Sequence, residues 1–310
     1  MPKFSVVITV YNKEDFVQAT VESVLNQSVQ DFEIIIVNDG STDGSDAVIK
    51  SIASEKITYL PLAENLGAGA ARNIGIKSAR GSYIALLDGD DIWDSYYLAE
   101  IVSLIHVFPQ HHVFATAVFK EYIGKTTASN YSFDNPNEDT FLDLNYFESS
   151  YKNSLLTSSS AVIHKSVFND IGFYDESIKS GQDTDLWIRI GIKYRVAFST
   201  KPAVTYIYAP QSLYKSIRSV THRPDYLNYL NEEEKLESLK KFIDLNRYSL
   251  ILRARLWNES QEATVYLDNL DLNNLNSRQR FLLNLPPSVL KIAFKSQKLL
   301  AQAGINLSAF

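Results

Sequence analysis

Four strand-length apolar runs, each separated from the next by a segment of helical periodicity, constrain this 310-residue chain most. Phe4–Val10 and residues 32–37 are near-continuous apolar stretches, as expected of strands buried on both faces. Ile57–Pro61 and residues 82–87 read as the third and fourth strands. Between them Phe16, Val17, Val21, Val24 and Leu25 recur at helical spacing, residues 43–53 read as a helix, and residues 67–79 as a helix of small side chains. Strands joined through helices at these intervals imply right-handed crossovers and a parallel sheet covered on both faces. Ligands of such sheets bind beyond the carboxyl ends of the strands.

Carboxylates collect at that edge. Asp39 follows the second run, in the turn-rich stretch Asn38-Asp39-Gly40-Ser41-Thr42-Asp43, and Asp88-Gly89-Asp90-Asp91 closes the fourth. Acids crowded at a strand end repel one another unless a cation or hydrogen-bond donors compensate them. A hard divalent ion shared with substrate phosphates is one reading of the cluster. In the other, Asp91 or Asp94 caps a helix starting near Trp93 and the remaining acids are solvated.

Composition narrows the classes. The absence of cysteine excludes disulfides, thiolate catalysis and sulfur-bound zinc. A net charge of −6 argues against a general nucleic-acid binder. The first residues read as a strand and lack the pattern of a signal peptide, and no apolar run reaches the ~20 residues that span a bilayer. From about residue 114 the pattern loosens. Residues 124–153 are polar and irregular, residues 158–164 read as a strand, residues 182–194 as a helix, and residues 196–199 and 203–208 as two apolar stretches. Beyond Pro224 the chain turns helical and charged, with Leu236, Leu239, Phe242 and Ile243 in helical register. This composition shift sets the expected domains at 1–224 and 225–310.

Five blocks occur in a fixed order: residues 5–12 (SVVITVYN), 37–43 (VNDGSTD), 65–73, 87–91 (LDGDD) and 182–187 (QDTDLW). Together they resemble the family 2 inverting glycosyltransferases, over residues 3–208. The resemblance implies an α/β GT-A fold, a Rossmann-like, mostly parallel sheet with helices on both faces, here followed by a helical C-terminal extension. It also implies a nucleotide-diphosphate sugar lying across the carboxyl edge. Thr9 and Tyr11 would then line the base and ribose, and Asp39 would accept the imino N–H of a uracil, favouring a UDP-sugar. The other reading of Asp39 is a turn-forming residue before Gly40. Asn65, Gly69 and Arg72 would meet phosphate or ribose oxygens at a helix start. Alternatively the glycines and alanines permit close helix–sheet packing and Arg72 pairs with an acid.

Asp88 and Asp90 carry over as the D-x-D pair around Gly89. Asp90 is the expected ligand of Mn²⁺ or Mg²⁺, and Asp88 a ribose or metal-water contact. Asp183 carries over as the catalytic base that deprotonates the acceptor hydroxyl, with a first-turn acid as its structural alternative, the better reading of Asp185. The serines of residues 157–163 fit a strand near the acceptor side, where they would hydrogen-bond sugar hydroxyls or form an unremarkable strand edge, and Trp187 would stack under a sugar ring or pack in the core. The histidine that many relatives carry after the last strand is absent from residues 209–212; His222 could substitute only if its loop folds back.

The expected activity is inverting sugar transfer to a saccharide or lipid-linked saccharide hydroxyl in bacterial surface polysaccharide synthesis, without nucleic acid. A sugar nucleotidyltransferase is the competing enzyme, although Tyr11-Asn12-Lys13-Glu14 is no triphosphate loop; a non-catalytic nucleotide-sugar-binding scaffold is the competing non-enzyme. The resemblance implies a cytoplasmic protein. Within residues 286–303, Lys291, Lys295 and Lys298 fall on one helix face, with Leu290, Ala293, Phe294 and Leu300 largely on another. That helix would touch the inner face of the plasma membrane, or pack on its own domain or a homodimer partner.

Overall fold

The computed structural model describes residues 3–122, 125–134, 139–207 and 219–302. The chain divides into two units, residues 1–214 and 215–310. The first opens with β1 (Phe4–Val10), α1 (Val17–Leu25), β2 (Phe32–Asn38), α2 (Ser45–Ser51), β3 (Ile57–Pro61), α3 (Ala68–Ser78) and β4 (Tyr83–Asp88). These strands pair in parallel in the order β3-β2-β1-β4, the half of the sheet that the alternating pattern predicts.

Side chains alternate across a strand, so one run of residues feeds two cores. Phe4, Val6, Ile8 and Val10 of β1 join Val17, Val21 and Val24 of α1 in a buried cluster. Val7, on the opposite face, meets α3. A Cβ on Gly75 of α3 would lie 2.3 Å from Val7 Cγ1 and 3.3 Å from Val37 Cγ2. The small-residue run 67–79 is thus the packing surface of a helix pressed closely on the sheet.

The unit continues with β5 (Ile92–Trp93), α4 (Tyr97–Val107), β6 (Val113–Tyr122), β7 (Lys125–Ala128), β8 (Phe141–Leu144), α5 (Tyr146–Ser149), β9 (Ala161–His164), α6 (Ser166–Ile171), α7 (Gln182–Lys193) and β10 (Val196–Ile207). β9 joins β4 antiparallel, β6 joins β9 antiparallel, and β10 joins β6 in parallel, making the sheet mixed beyond β4. Tyr97, Leu98, Ile101 and Leu104 of α4 extend the cluster under β1.

Five local readings change. The helix expected near Trp93 starts at Tyr97, because Ile92 and Trp93 instead pair antiparallel with β10. Asp94 serves that helix through its carbonyl, which accepts the Tyr97 N–H at 2.9 Å, and not through its carboxylate. The strand expected from residue 158 begins at Ala161, since Thr157 closes a turn through its carbonyl to Ala161 N at 3.1 Å. The two apolar stretches after residue 195 are one strand, irregular around Pro202, while residues 124–153 hold β7, β8 and α5.

The second unit is helical: α8 (Leu230–Glu233), α9 (Glu237–Trp257), α10 (Ser260–Asp268), α11 (Ser277–Leu283) and α12 (Pro287–Gln302). Leu239, Phe242 and Ile243 are buried as the register predicts, whereas Leu236 is exposed just ahead of α9. Arg247, fully buried on α9, is held by both oxygens of Glu233 at 2.6 and 2.7 Å. No described helix is long and apolar enough to cross a membrane.

Candidate functional site

Register decides which residues meet at the sheet edge. Thr9 pairs with Asp88 and Val10 with Asn38, so β1, β2 and β4 end level. The chain leaves that edge in tight steps: Asp39 N bonds Val10 O at 2.8 Å and Gly89 N bonds Thr9 O at 3.0 Å. A Cβ at Gly89 would sit 2.9 Å from Thr9 O, so only glycine keeps Asp88 and Asp90 against β1.

Arg72 on α3 ties the site together. Its Nη2 donates to Asp88 Oδ1 at 2.6 Å and its Nη1 to Asp183 Oδ1 at 3.0 Å. The guanidinium is nearly buried and lies 5.4 Å from the Tyr174 ring centroid. Burial works against its charge, yet the Asp183 and Asp88 carboxylates prevail and raise its pKa. Two acids 95 positions apart in sequence are therefore neighbours.

Asp183 stands in the first turn of α7, two residues after Gly181, whose φ of 86° takes the left-handed turn into the helix. Leu186, Trp187, Ile188 and Ile190 bury the helix and fix that turn. Ser158 Oγ donates to Asp183 Oδ1 at 2.8 Å. Both of these side-chain bonds fall on Oδ1, and the carboxylate is about one-third exposed (34%). Asp185 instead pairs with Arg189 one turn on, at 2.7 Å, and braces the helix.

The acidic cluster is compensated from two sides. Lys13 Nζ donates to Asp90 Oδ2 at 2.5 Å. Burial raises the Asp90 carboxyl above its usual range, Lys13 opposes this, and the Asp88 charge adds to it. Asp91 is a buried bracket, with Oδ2 accepting from Ser159 Oγ at 2.5 Å and Oδ1 from Ile207 N at 3.0 Å. Burial, then the charges of Asp88 and Asp90, push its carboxyl well up. It ties the turn after β4 to the turn before β9 and to the end of β10, and caps no helix. Ser159 Oγ also accepts the Asp88 N–H at 3.2 Å.

Asp39 is buried, each oxygen taking one backbone N–H from the next loop: Leu66 at 2.7 Å and Gly67 at 3.0 Å. Burial raises its pKa and these two donors counter it. Thr9 and Tyr11 are half-buried at the end of β1, and Asn65 is exposed in the loop that Asp39 anchors. Gly69 is buried at the α3 start, where an added Cβ would lie 3.6 Å from Asp175 O and 3.8 Å from Gln182 Cγ. His222 is exposed and belongs to the second unit, and residues 209–212 lie outside the described residues.

One partner escapes sequence reading, and a second, expected at most as a sugar contact, instead holds Asp183. Lys13 stands in the loop after β1 and Ser158 in the turn before β9; only the edge on which β1 and β4 end together hints at the first. For a hard cation the protein offers the oxygens of Asp88 and Asp90, and among the described residues no group of three His, Cys, Asp or Glu side chains surrounds such a position. Two carboxylates suit an ion that takes its other ligands from phosphate and water. The donor set therefore fits a shared Mg²⁺ or Mn²⁺.

Comparison with known proteins bears on the family and the fold. The sequence profile described as Glycosyl transferase family 2 matches residues 5–172. An uncharacterized glycosyltransferase of Rickettsia prowazekii is 29% identical over 240 residues, 75% of this chain and 74% of the relative. Three other Rickettsia glycosyltransferases match over only 58%, 31% and 28% of their own length. WfaP of Escherichia coli, a UDP-Glc:alpha-D-GlcNAc-diphosphoundecaprenol beta-1,3-glucosyltransferase, is 33% identical over 63% of this chain and 74% of the relative. The crystal structure of S. aureus TarS 1-349 in complex with UDP-GlcNAc superposes with a TM-score of 0.72 at 18% identity, covering 94% of this chain and 88% of the TarS 1-349 chain. At that identity the likeness is one of fold. With the profile covering more than half of its length, the chain belongs to glycosyl transferase family 2.

Proposed function

We propose that the protein transfers a sugar, with inversion, from a UDP-sugar to a hydroxyl of a lipid-linked saccharide in bacterial surface polysaccharide synthesis. The observation that carries this reading is the Arg72 bridge, which holds Asp88 of the D-x-D pair and Asp183 within one guanidinium's reach. The donor and acceptor classes are supported by the WfaP relative, whose name specifies both.

In this mechanism Asp183 acts as general base. Its carboxylate takes the proton of the acceptor hydroxyl while that oxygen attacks the anomeric carbon from the face opposite the diphosphate. The C1–O bond to phosphate breaks, the electron pair leaves with UDP, and the configuration inverts. Arg72 and Ser158 hold Oδ1, which orients the carboxylate and leaves Oδ2 for the proton. Asp88 and Asp90 would hold a divalent cation, which when bound supplies positive charge to the departing diphosphate. Thr9, Tyr11 and Asp39 would bind the nucleoside, while Asn65, Gly69 and Arg72 would face ribose or phosphate.

Asp183→Asn tests the base. We expect UDP-sugar binding within twofold of wild type, read by calorimetry with and without Mn²⁺, and transfer lowered ~10²–10⁴-fold. Unchanged transfer would falsify the assignment.

A further inference from the structure

Helices α11 and α12 carry a charge imbalance that the rest of the chain reverses. Beyond Asp271 there is no acidic residue, and Arg278, Arg280, Lys291, Lys295 and Lys298 supply five positive charges. The remainder of the chain holds 25 basic against 36 acidic residues. Both helices pack on α9. Among the described residues, Leu283 is the buried side chain of α11 and Leu290 that of α12. The apolar face expected of residues 286–303 therefore points inward at Leu290, and a second, outward apolar face remains.

That outward face is large-chained and bare. Phe281 is 64% exposed, Ile292 66% and Val289 44%. Two residues of helix turn the chain by about 200°, so Phe281 stands opposite Leu283 and Ile292 opposite Leu290. Arg278 and Lys295 each lie three residues from these apolar tips, about 60° around the helix, and Arg280 and Lys291 adjoin them. All four are exposed. Apolar side chains projecting between cations match an interface whose surface is anionic and whose interior is hydrocarbon. A second copy of the chain would set five positive charges against five. A phosphate backbone would leave Phe281 and Ile292 in water.

We propose that the outward faces of α11 and α12 form a docking surface for an anionic lipid bilayer, with Phe281, Val289 and Ile292 entering the acyl boundary and Arg278, Arg280, Lys291 and Lys295 meeting headgroup phosphates. The surface is independent of the chemistry assigned to Asp183, and it would hold the protein where lipid-linked molecules reside.

Co-sedimentation of the full chain with phosphatidylcholine vesicles, with and without phosphatidylglycerol, tests it. The chain is expected to pellet with the anionic vesicles, to remain in the supernatant with neutral ones, and to dissociate as salt is raised. Lys291→Glu with Lys295→Glu should lower partitioning at least ~25-fold, about fivefold for each lost cation. Phe281→Ser with Ile292→Ser should lower it at least ~10-fold, while both variants keep the wild-type melting temperature because the altered side chains are exposed. No pelleting with anionic vesicles overturns the proposal, as does equal partitioning of wild type and variants. A wild-type dimer that Phe281→Ser/Ile292→Ser converts to monomer, with vesicle binding unchanged, assigns the face to self-association and overturns it equally.

Discussion

One guanidinium decides how the site is read at the scale of the residue. Asp88 and Asp183 were legible as motif positions, but nothing in the one-dimensional chain states that they share Arg72. Both readings of Arg72 were open, phosphate partner or acid partner, and the second describes the geometry without donor. Lys13 was not legible as a site residue and Ser158 only as a possible sugar contact, since each joins the site through a contact across the fold, 77 positions to Asp90 and 25 to Asp183. Arginine's planar fork can bond two carboxylates at once, and an ammonium on a lysine stem cannot hold both in that geometry. Arg72→Lys should therefore keep one bond and lose the other. A hydrogen bond to a charged group contributes ~1.5–3 kcal/mol, so kcat/KM should fall about 10- to 100-fold. Steady-state transfer assays read the effect, and a wild-type kcat/KM in Arg72→Lys would remove Arg72 from the positioning of Asp183.

Among elements, β1 to β4 and their helices were legible because the signal is local: each buried strand is an apolar run, and each helix a periodic one. The elements between residues 92 and 207 were harder, and for a physical reason. Ile92–Trp93 is only two residues long and exists through pairing with β10. The irregularity at Pro202 splits one strand into two apparent stretches. β7 is exposed along its length and carries no core pattern. The most demanding packing, by contrast, was visible in composition. Gly75 sits in mid-helix, where alanine would ordinarily gain ~1 kcal/mol in helix propensity. Its Cβ would collide with Val7 Cγ1, so Gly75→Ala should instead destabilise by ~1–3 kcal/mol. Pairing it with Val7→Ala opens the space, and the two changes should be non-additive by at least ~1 kcal/mol. Urea denaturation of the four members of the cycle measures this. Additive penalties would mean that α3 shifts away from β1 freely.

For the whole molecule, acid stability depends on where carboxylates are held by donors and where they are merely buried. Glu33 belongs to the first kind. Its Oε1 accepts from Ser5 Oγ and Arg80 N, both at 2.7 Å, and its Oε2 from the Arg80 guanidinium at 2.7 Å. Gly81 N completes the knot through Ser5 Oγ at 2.8 Å, joining β1, β2 and the turn into β4. Burial alone would raise the Glu33 pKa, but these donors prevail and hold it below 4.5. A carboxyl depressed in the folded state stabilises the fold above its unfolded pKa, and that contribution drains away as pH falls through the folded value. Asp39, Asp90 and Asp91, all raised, act with the opposite sign. Only the difference between wild type and Glu33→Gln isolates the knot. Arg80 is 66% exposed, so its ion pair is screened and adds little, while the Ser5 and backbone bonds are sheltered. Glu33→Gln should thus lose ~1–2 kcal/mol at neutral pH. The gap between the two urea midpoints should stay level down to about pH 4.5 and close below it. A gap that stays constant through that acid range would mean the carboxylate's charge contributes nothing and that a neutral amide satisfies the same donors.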